Sequence, residues 1–540
     1  MLRESLRRLA WRLESRAGLA ALFALALLVR LALAPFTGFR GDLQLFQTWA
    51  TLLGQVGPHH FYAASAQSVD YPPGYLYVLW LTAKLSAAPG YLLLKLPPIV
   101  ADFGLAWVVC TLAARIAPPS FARRWPVRPL VAAAFLFNPA VLAIGAVWGQ
   151  VDSLPALLAL APLALLLTGE QSRGRELGAF LLFACAVAIK PQAAFVAPVL
   201  LYVLYRRHLH GRRGAELLDG ALAVGMTGAT SVCLWCLSGV PFGLGPLALL
   251  RFDRQAASVY PVTSANAFNL WGALGFWRPD TGGQLQVGAL AFLAGAGYVI
   301  WRAHRALGRG ADEARVLVAA AGATTLLAFI LLTRMHERYL FFALVCLAPL
   351  VVVRRLRLPY AALCGLFLLD LWYPYVYFNA EHHTQTLAVQ PLFGWLFGGF
   401  TTDSVQRTVW SLLLTATALV TVRRALAWAD ESAAVVAVAR PRRVRVRGDA
   451  SAATLAATGR LPLALVGLAC GFGLVTLRGQ TSAAVNLNDS AFHLQMVRWA
   501  SGRISAGRLL PLDGWYPDLS LGSAFFHRYQ SFAELMTAYV

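Results

Sequence analysis

Long hydrophobic runs of about 17–22 residues recur along the whole chain and alternate with short polar segments. A helix of that length crosses the hydrocarbon core of a bilayer. Some polar segments carry clusters of arginine, whereas the others carry aromatic and acidic residues. Placing the arginine clusters on the cytoplasmic side gives one consistent threading of about 13 spans. The pattern therefore predicts an all-α, multi-pass protein of the plasma (inner) membrane with a cytoplasmic N-terminus.

The first run, Ala17 to Pro35, is too long for the apolar core of a signal peptide and has no clear cleavage site, which favours a retained span. Further spans are predicted at about 92–114, 129–147, 154–168, 215–238, 285–301, 315–332, 359–374, 408–422 and 461–477. A hairpin of two spans is predicted around Lys190, and one more span ends at Arg354. In this threading the aromatic and acidic motifs all lie on the extracytoplasmic side.

Composition excludes several classes of protein. Of the 540 residues, 58% are hydrophobic and only 13% are charged, so no separate soluble domain is visible. A net charge of +21 would suit a nucleic-acid-binding protein, but the arginines lie in short clusters between apolar runs, and we predict no nucleic-acid partner. The sequence has no Walker loop after a strand and no glycine-rich dinucleotide fingerprint.

The first extracytoplasmic loop, Gly41 to Tyr75, is the most informative segment. If Asp42 to Leu53 is helical, Asp42, Phe46 and Trp49 share one face. The segment is too polar to cross a bilayer, which suggests an interfacial helix that turns its acid toward a cavity. Alternatively, Asp42 simply caps its helix after Gly41.

Other motifs on the same predicted side could complete a site for glycosyl transfer from a lipid-phosphate sugar. Asp42 would accept the proton of the attacking hydroxyl group, and cations would hold the departing phosphate. The candidate phosphate-binding residues are Arg334, His336, Arg338 and Lys190. The candidate substrate-binding residues are Asp70, Tyr71, Trp148, Gln150, Asp152, Asn266, Asn269, Trp271 and Glu337.

Several of these residues have structural alternatives. Asp70 could only anchor the stiff Tyr-Pro-Pro loop, Asp152 could cap the following span, and Lys190 could extend to the membrane interface. Arg334 and Arg338 lie on the predicted outer side, where the positive-inside rule disfavours arginine, which suggests an anionic partner. The adjacent His382 and His383 are weak evidence for a metal, so no metal site and no cofactor are predicted.

At these motifs the sequence resembles the GT-C superfamily of polytopic glycosyltransferases. It looks most like the branch that contains the dolichyl-phosphate-glucose glucosyltransferases of N-glycan assembly, the first mannosyltransferase of GPI assembly, and their bacterial relatives. The matching motifs are Gly41-Asp42 with Phe46 and Trp49-Ala50, Asp70-Tyr71-Pro72-Pro73, Trp148-Gly149-Gln150 with Asp152-Ser153, Lys190-Pro191, Ala265-Asn266-Ala267-Phe268-Asn269-Leu270-Trp271, and Arg334-Met335-His336-Glu337-Arg338-Tyr339. They cover about residues 1–425 in the family's order.

The resemblance implies an inverting transfer from a polyprenyl-phosphate sugar with Asp42 as the general base. His336-Glu337 matches the family's histidine-containing loop, although HERY stands here where the glucosyltransferases tend to have HEKS. We expect a hexosyltransferase, with mannose as the first choice of sugar and an extracytoplasmic glycan, lipid or protein as the acceptor. The competing hypotheses are a glycolipid transporter or flippase, and a membrane protein that binds glycolipid without turnover.

The chain divides into three predicted regions. Residues 1–425 form the GT-C-like module, and residues 426–460 form a basic cytoplasmic linker. Residues 461–540 contain one span and the beginning of a second, truncated module of similar type, with its own first-loop acid at Asp489.

Overall fold

The computed structural model describes residues 10–36, 38–65, 69–382, 390–398 and 404–436. The predicted second module, its span at 461–477 and Asp489 lie outside these residues, as do residues 437–460 of the predicted linker. The helices are α1 Arg16–Leu33, α2 Arg40–Ala64, α3 Pro73–Leu85, α4 Tyr91–Ile116, α5 Pro119–Ala122, α6 Val127–Leu136, α7 Pro139–Leu142, α8 Ser153–Leu167, α9 Arg173–Ile189, α10 Ala197–Leu204, α11 Ala215–Gly239, α12 Pro246–Ala256, α13 Gln284–Gly308, α14 Glu313–Leu331, α15 Leu340–Leu347, α16 Arg354–His382, α17 Gln390–Phe397 and α18 Val405–Val436. Two short strands, β1 (Ser264–Ala265) and β2 (Met335–His336), pair in parallel.

The described residues form a mainly helical protein that is compatible with an all-α membrane protein. Seven of the described helices are long and apolar enough to cross a membrane: α1, α4, α11, α13, α14, α16 and α18. The bent pair formed by α6 and Pro139–Trp148, with a 49° angle, would make an eighth. The predicted count of about 13 spans is therefore not confirmed.

Among the described residues, the difference lies in apolar helices that are too short to cross a membrane. The run predicted to span at 154–168 forms the 15-residue helix α8, which is about 22 Å long against a hydrocarbon core of about 30 Å. The hairpin around Lys190 forms α9, a 3-10 turn and the 8-residue α10. The span predicted to end at Arg354 forms the 8-residue α15 and a 3-10 turn. Each of these apolar segments does form a helix, but the hydrophobic pattern did not show where the helix ends.

Burial separates a central helix from peripheral ones. Of the most apolar part of α14, 89% is buried inside the protein, whereas the figure is 17% for α1, α11 and α13. The peripheral helices carry largely exposed leucines such as Leu28, Leu218 and Leu290. Outward-facing leucines suit a lipid-facing surface, because lipid tails offer them an apolar solvent.

The first-loop helix α2 has the face that the sequence predicts. Phe46 and Trp49 are buried, and they pack with Tyr71 and Tyr75 in an aromatic cluster with ring centroids 5.0–6.0 Å apart. A kink at Gly57, with φ +73°, precedes Pro58 inside the helix. Packing of this aromatic face fixes the position of α2, and therefore of Asp42 in its first turn.

Two buried cations hold the ends of the early helices together. The Lys95 ammonium of α4 donates to the carbonyl oxygens of Ala34, Phe36 and Val147 at 2.8–3.0 Å. Arg30 of α1 pairs with Asp102 of α4, with 2.8 Å between Nε and Oδ2, and both side chains are fully buried. These contacts bring the end of α1 beside residue 147, where the candidate site begins.

Candidate active site

Asp42 lies in the first turn of α2 but does not cap the helix. The N-cap position is Phe39, and no side chain makes a capping hydrogen bond there. Instead, Oδ2 of Asp42 accepts hydrogen bonds from Trp148 Nε1, at 2.9 Å, and from Gln150 Nε2. The capping alternative is therefore wrong, and the carboxylate is oriented by two side chains that are distant in the sequence.

The turn at Gly149 is what allows Trp148 and Gln150 to reach the same carboxylate. A π-helical turn, Ala143–Trp148, ends at Gly149, whose φ of +88° is in the left-handed region that favours glycine. A Cβ on Gly149 would lie 2.7 Å from the side chain of Leu43 in α2. The turn is also held by Phe39, whose ring stacks on Trp148 with the centroids 4.7 Å apart.

Asp42 lines a cavity of about 580 Å³ whose wall mixes charged, polar and aromatic side chains. Its lining residues are Phe39, Arg40, Gly41, Asp42, Gln44, Trp148, Tyr260, Asn266, Trp277, His336, Glu337, Arg338, Pro374 and Phe378. Six of the sequence-predicted residues are among them: Asp42, Trp148, Asn266, His336, Glu337 and Arg338. The cavity thus brings together the first loop, the loop before α13, the turn after α14 and the later part of α16.

The turn after α14 supplies an acid, a base and a cation to this cavity. Pairing of β2 with β1 fixes the backbone at His336, and its ring contacts Tyr260 and Tyr339 with centroids 5.0 and 5.2 Å apart. Arg338 donates from an Nη atom to Oε1 of Glu337 at 3.0 Å. The arrangement keeps the Arg338 charge at the cavity wall while pairing it with only one carboxylate.

Burial shifts the pKa of two of these groups. Burial, with the nearby charges of Arg338 and Lys190, lowers the pKa of His336 well below its ordinary value of 6.5. The imidazole is therefore neutral near pH 7, and it would meet a phosphate as a hydrogen-bonding group rather than as the cation that the sequence analysis expected. Burial also raises the pKa of Glu337, although Arg338 opposes the shift.

Asp152 and Lys190 form a buried ion pair and do not line the cavity. Lys190 Nζ lies 2.5 Å from Asp152 Oδ1, and the two side chains are 5% and 0% exposed. Asp152 precedes α8 at the capping position but makes no capping hydrogen bond, and Lys190 is too buried to extend to the interface. Both structural alternatives are wrong. The Lys190 ammonium also lies over the rings of Tyr71 and Tyr339, at 5.9 and 5.2 Å from their centroids.

Asp70 and Gln150 stand next to the cavity residues rather than in its lining. Burial raises the pKa of Asp70, with Arg338 lowering it and Asp42 raising it further, so the group is within electrostatic reach of Asp42. Gln150 is fully buried and acts on Asp42 directly through its amide. Tyr71 packs in the aromatic cluster of α2.

Three predicted residues have structural partners instead of a place in the cavity. The guanidinium of Arg334 contacts both oxygens of Asp280 at 2.7 and 3.1 Å, so its anionic partner belongs to the protein itself. Asn269 donates to the carbonyl oxygens of Phe329 and Leu332, and Trp271 Nε1 donates to that of Leu331. Asn269 and Trp271 therefore fasten their loop to the C-terminal end of α14.

The cavity also contains residues that the sequence analysis missed. Arg40 adds a second cation beside Asp42, and Trp277 donates from Nε1 to Oδ1 of Asn266 at 2.7 Å. Arg40 was detectable, because it is an arginine on the predicted outer side, as Arg334 is. Nothing in the local pattern distinguishes Tyr260, and it enters the site only through the folded loop.

An apolar groove of about 450 Å³ adjoins the cavity at Trp148, which lines both. The groove lies between the π-helical turn and α16, with Leu368, Leu369, Trp372 and Tyr375 in its wall. The Trp148 and Tyr375 rings are 6.0 Å apart. A polar cavity and an apolar groove that share one wall could hold the two halves of an amphipathic ligand.

Comparison with protein-family models and with curated protein sequences finds no match to this chain. Within the described residues, no group of three or more His, Cys, Asp or Glu side chains could hold a metal ion. The arrangement of the cavity is therefore the main guide to its chemistry. It offers an oriented carboxylate, two guanidinium groups and a neutral imidazole around one space.

Proposed function

We propose that this protein transfers a hexose from a polyprenyl-phosphate sugar to an acceptor hydroxyl group, with inversion at the anomeric carbon. The observation that carries the proposal is Asp42, a carboxylate fixed by Trp148 and Gln150 at the wall of a polar cavity. Mannose is the first choice of sugar, by the resemblance of the motifs to GT-C enzymes. We propose that the acceptor is a glycan, a lipid or a protein on the extracytoplasmic side.

In this mechanism Asp42 accepts the proton of the acceptor hydroxyl group as its oxygen attacks the anomeric carbon. The bond from that carbon to the phosphate oxygen breaks, and polyprenyl phosphate leaves. Positioned general bases typically contribute about 10²–10⁴-fold to the rate. Both described hydrogen bonds to Asp42 reach Oδ2, so Oδ1 is the atom that we assign to proton transfer.

Arg338 and Arg40 would hold the phosphate of the donor. Negative charge develops on the phosphate oxygens as the glycosidic bond breaks, and guanidinium groups stabilise that charge through paired hydrogen bonds. Both residues line the same cavity as Asp42. Arg334 is no longer a candidate for this role, because Asp280 already neutralises it.

The apolar groove beside Trp148 would accept the first isoprene units of the donor. Its wall is formed by leucine and aromatic side chains of α16, which offer an apolar surface next to the polar cavity. A lipid that lies there would place its phosphate near Trp148, and thus beside Asp42. A single polyprenyl-phosphate sugar would therefore occupy both the polar cavity and the apolar groove.

One observation favours a glycolipid transporter as a second candidate. Transport proteins use ionisable groups within their spans, and Arg30 and Asp102 form such a pair between α1 and α4. Asp102 also accepts from Ser153 Oγ at 2.6 Å, and the pair lies outside the lining of the 580 Å³ cavity. This buried ion pair, held by a neighbouring hydroxyl group, suits a structural role better than a transport path.

The test is sugar transfer by the purified full chain in nanodiscs. Polyprenyl-phosphate-mannose and polyprenyl-phosphate-glucose serve as donors, and lipid extract serves as the acceptor. We expect transfer from one donor and at least about a 10²-fold loss in Asp42→Asn, which keeps the hydrogen bonds to Trp148 and Gln150. Glu216→Gln, an exposed carboxylate outside the cavity, is the matched control. Full transfer by Asp42→Asn would refute the mechanism, and movement of intact donor across the bilayer without transfer would favour the transporter.

A further inference from the structure

A second polar cavity, of about 830 Å³, lies at the opposite end of α16 from the candidate active site. Pro374 and Phe378 line the first cavity, whereas Arg354 and Arg357 line the second. Between Arg357 and Pro374 the helix is about 26 Å long. The two cavities therefore lie near opposite faces of the membrane that α16 would cross.

This second cavity, which we call the arginine pocket, has a large excess of positive charge. Its wall contains five arginines, Arg124, Arg354, Arg355, Arg357 and Arg424, and one acid, Glu431. Glu431 pairs with Arg355 through both oxygens, at 2.5 and 2.6 Å. In the described part of the chain, no carboxylate lies within ion-pair distance of the other four arginines.

Two of the four unpaired cations are held in place by neutral groups. Arg357 donates from Nε to the carbonyl oxygen of Val351 at 2.9 Å, and its guanidinium lies 5.0 Å from the ring centroid of Phe121. Arg424 donates from an Nη atom to the carbonyl oxygen of Arg355 at 3.2 Å. These contacts orient the guanidinium groups without neutralising them, which is the arrangement that an anion-binding site requires.

The surroundings of the arginine pocket indicate the chemistry of its ligand. Guanidinium groups match the oxygen geometry of phosphate. Leu358, next to Arg357, is 76% exposed, and Trp125 and Trp428 also line the pocket. Indole rings are typical of the membrane interface, and basic pockets between transmembrane helices bind the head groups of anionic lipids.

We propose that the arginine pocket binds the phosphate head group of an anionic phospholipid. Arg357 and Arg424 contact the phosphate, and the acyl chains leave past Leu358 into the bilayer. The site is separate from the proposed sugar transfer, so either proposal can fail without the other.

The experiment measures binding of fluorescent phosphatidylglycerol and phosphatidylcholine to the full-length protein in neutral detergent micelles. Each basic side chain near an anionic lipid surface is worth a factor of about 5 in affinity. Arg357→Gln/Arg424→Gln should therefore bind phosphatidylglycerol about 25-fold more weakly, with little change for phosphatidylcholine. Arg213→Gln/Arg305→Gln removes the same charge outside the pocket and should leave binding within about twofold of the unmodified protein.

A variant with little risk of misfolding provides the second arm. Arg124 is exposed on the loop between α4 and α6, and Arg124→Gln should weaken binding about fivefold. Equal effects of the pocket and control variants would overturn the proposal, because the anionic lipid would then be attracted by the overall positive charge of the protein rather than by the pocket. Inorganic pyrophosphate that binds as tightly as the labelled lipid would overturn the assignment to a lipid head group.

Discussion

The buried pair of Asp152 and Lys190 offers a quantitative test of how the centre of the protein is stabilised. Asp152→Asn preserves the shape of the side chain but leaves the Lys190 ammonium, 5% exposed, without its anion. Removing one partner of a buried pair typically costs about 3–5 kcal/mol, because the remaining charge is desolvated and unpaired. Lys190→Met should cost a similar amount for the reverse reason.

The double variant, Asp152→Asn/Lys190→Met, leaves no charge at either position of the pair. We expect it to be destabilised by less than either single variant, since neutral replacements of a buried pair are often nearly neutral in free energy. The coupling energy from the double-mutant cycle should therefore be large, at least about 3 kcal/mol. Exposed pairs seldom exceed about 1 kcal/mol, so the value distinguishes a buried pair from a solvated one.

The free energy of unfolding can be followed through buried thiols. Cys110, Cys346 and Cys364 are buried and should react with a thiol dye only on unfolding, whereas Cys233 is exposed and Cys185 and Cys236 are half-buried. The assay therefore uses a protein in which Cys185, Cys233, Cys236 and Cys470 are alanine, and it titrates a denaturing detergent. Strictly additive effects of the two substitutions, or a cost below about 1 kcal/mol for each, would refute the buried pair.

The remaining predictions concern the surroundings of the candidate active site and the pH dependence of stability. Gly149→Ala should cost about 1–2 kcal/mol through its left-handed backbone, and should lower sugar transfer at least tenfold by displacing Trp148, as measured by unfolding and by turnover. Arg334→Ala should destabilise the protein while leaving the KM for donor unchanged, because its partner is Asp280 rather than phosphate; a raised KM would contradict this. The folded protein resists protonation of His336, so this group's contribution to stability is present above pH 6.5 and is lost as the pH falls below it. In His336→Asn, the free energy of unfolding should fall less steeply as the pH drops below 6.5.

The sequence predicted features that follow from periodicity and from motifs, and it missed those that depend on tertiary partners. The apolar face of α2 with Phe46 and Trp49 is confirmed, because burial of that face follows the helical repeat. Asp42 beside Trp148 is a tertiary contact that the shared motifs only suggested. The role of Arg334 could not be predicted, since its partner Asp280 lies 54 residues away in a loop without a regular pattern.

The predicted count of about 13 spans is not confirmed, for a different physical reason. Hydropathy measures how apolar a segment is, but a helix also needs enough uninterrupted length to cross a bilayer. Pro191 lies two residues after the end of α9 and begins a 3-10 turn, and α15 is followed by another 3-10 turn that contains Pro349. Such breaks leave apolar helices that are buried by protein rather than surrounded by lipid.

The ion pair between Arg30 and Asp102 has a consequence for how the protein is made. The two residues are 72 positions apart, so the ribosome adds Asp102 roughly 4–14 s after Arg30 at ordinary elongation rates. In a membrane, Arg30 near the end of α1 would lack its partner during that interval, which is costly in hydrocarbon. The helix α1 therefore depends on the arrival of α4 for its final position.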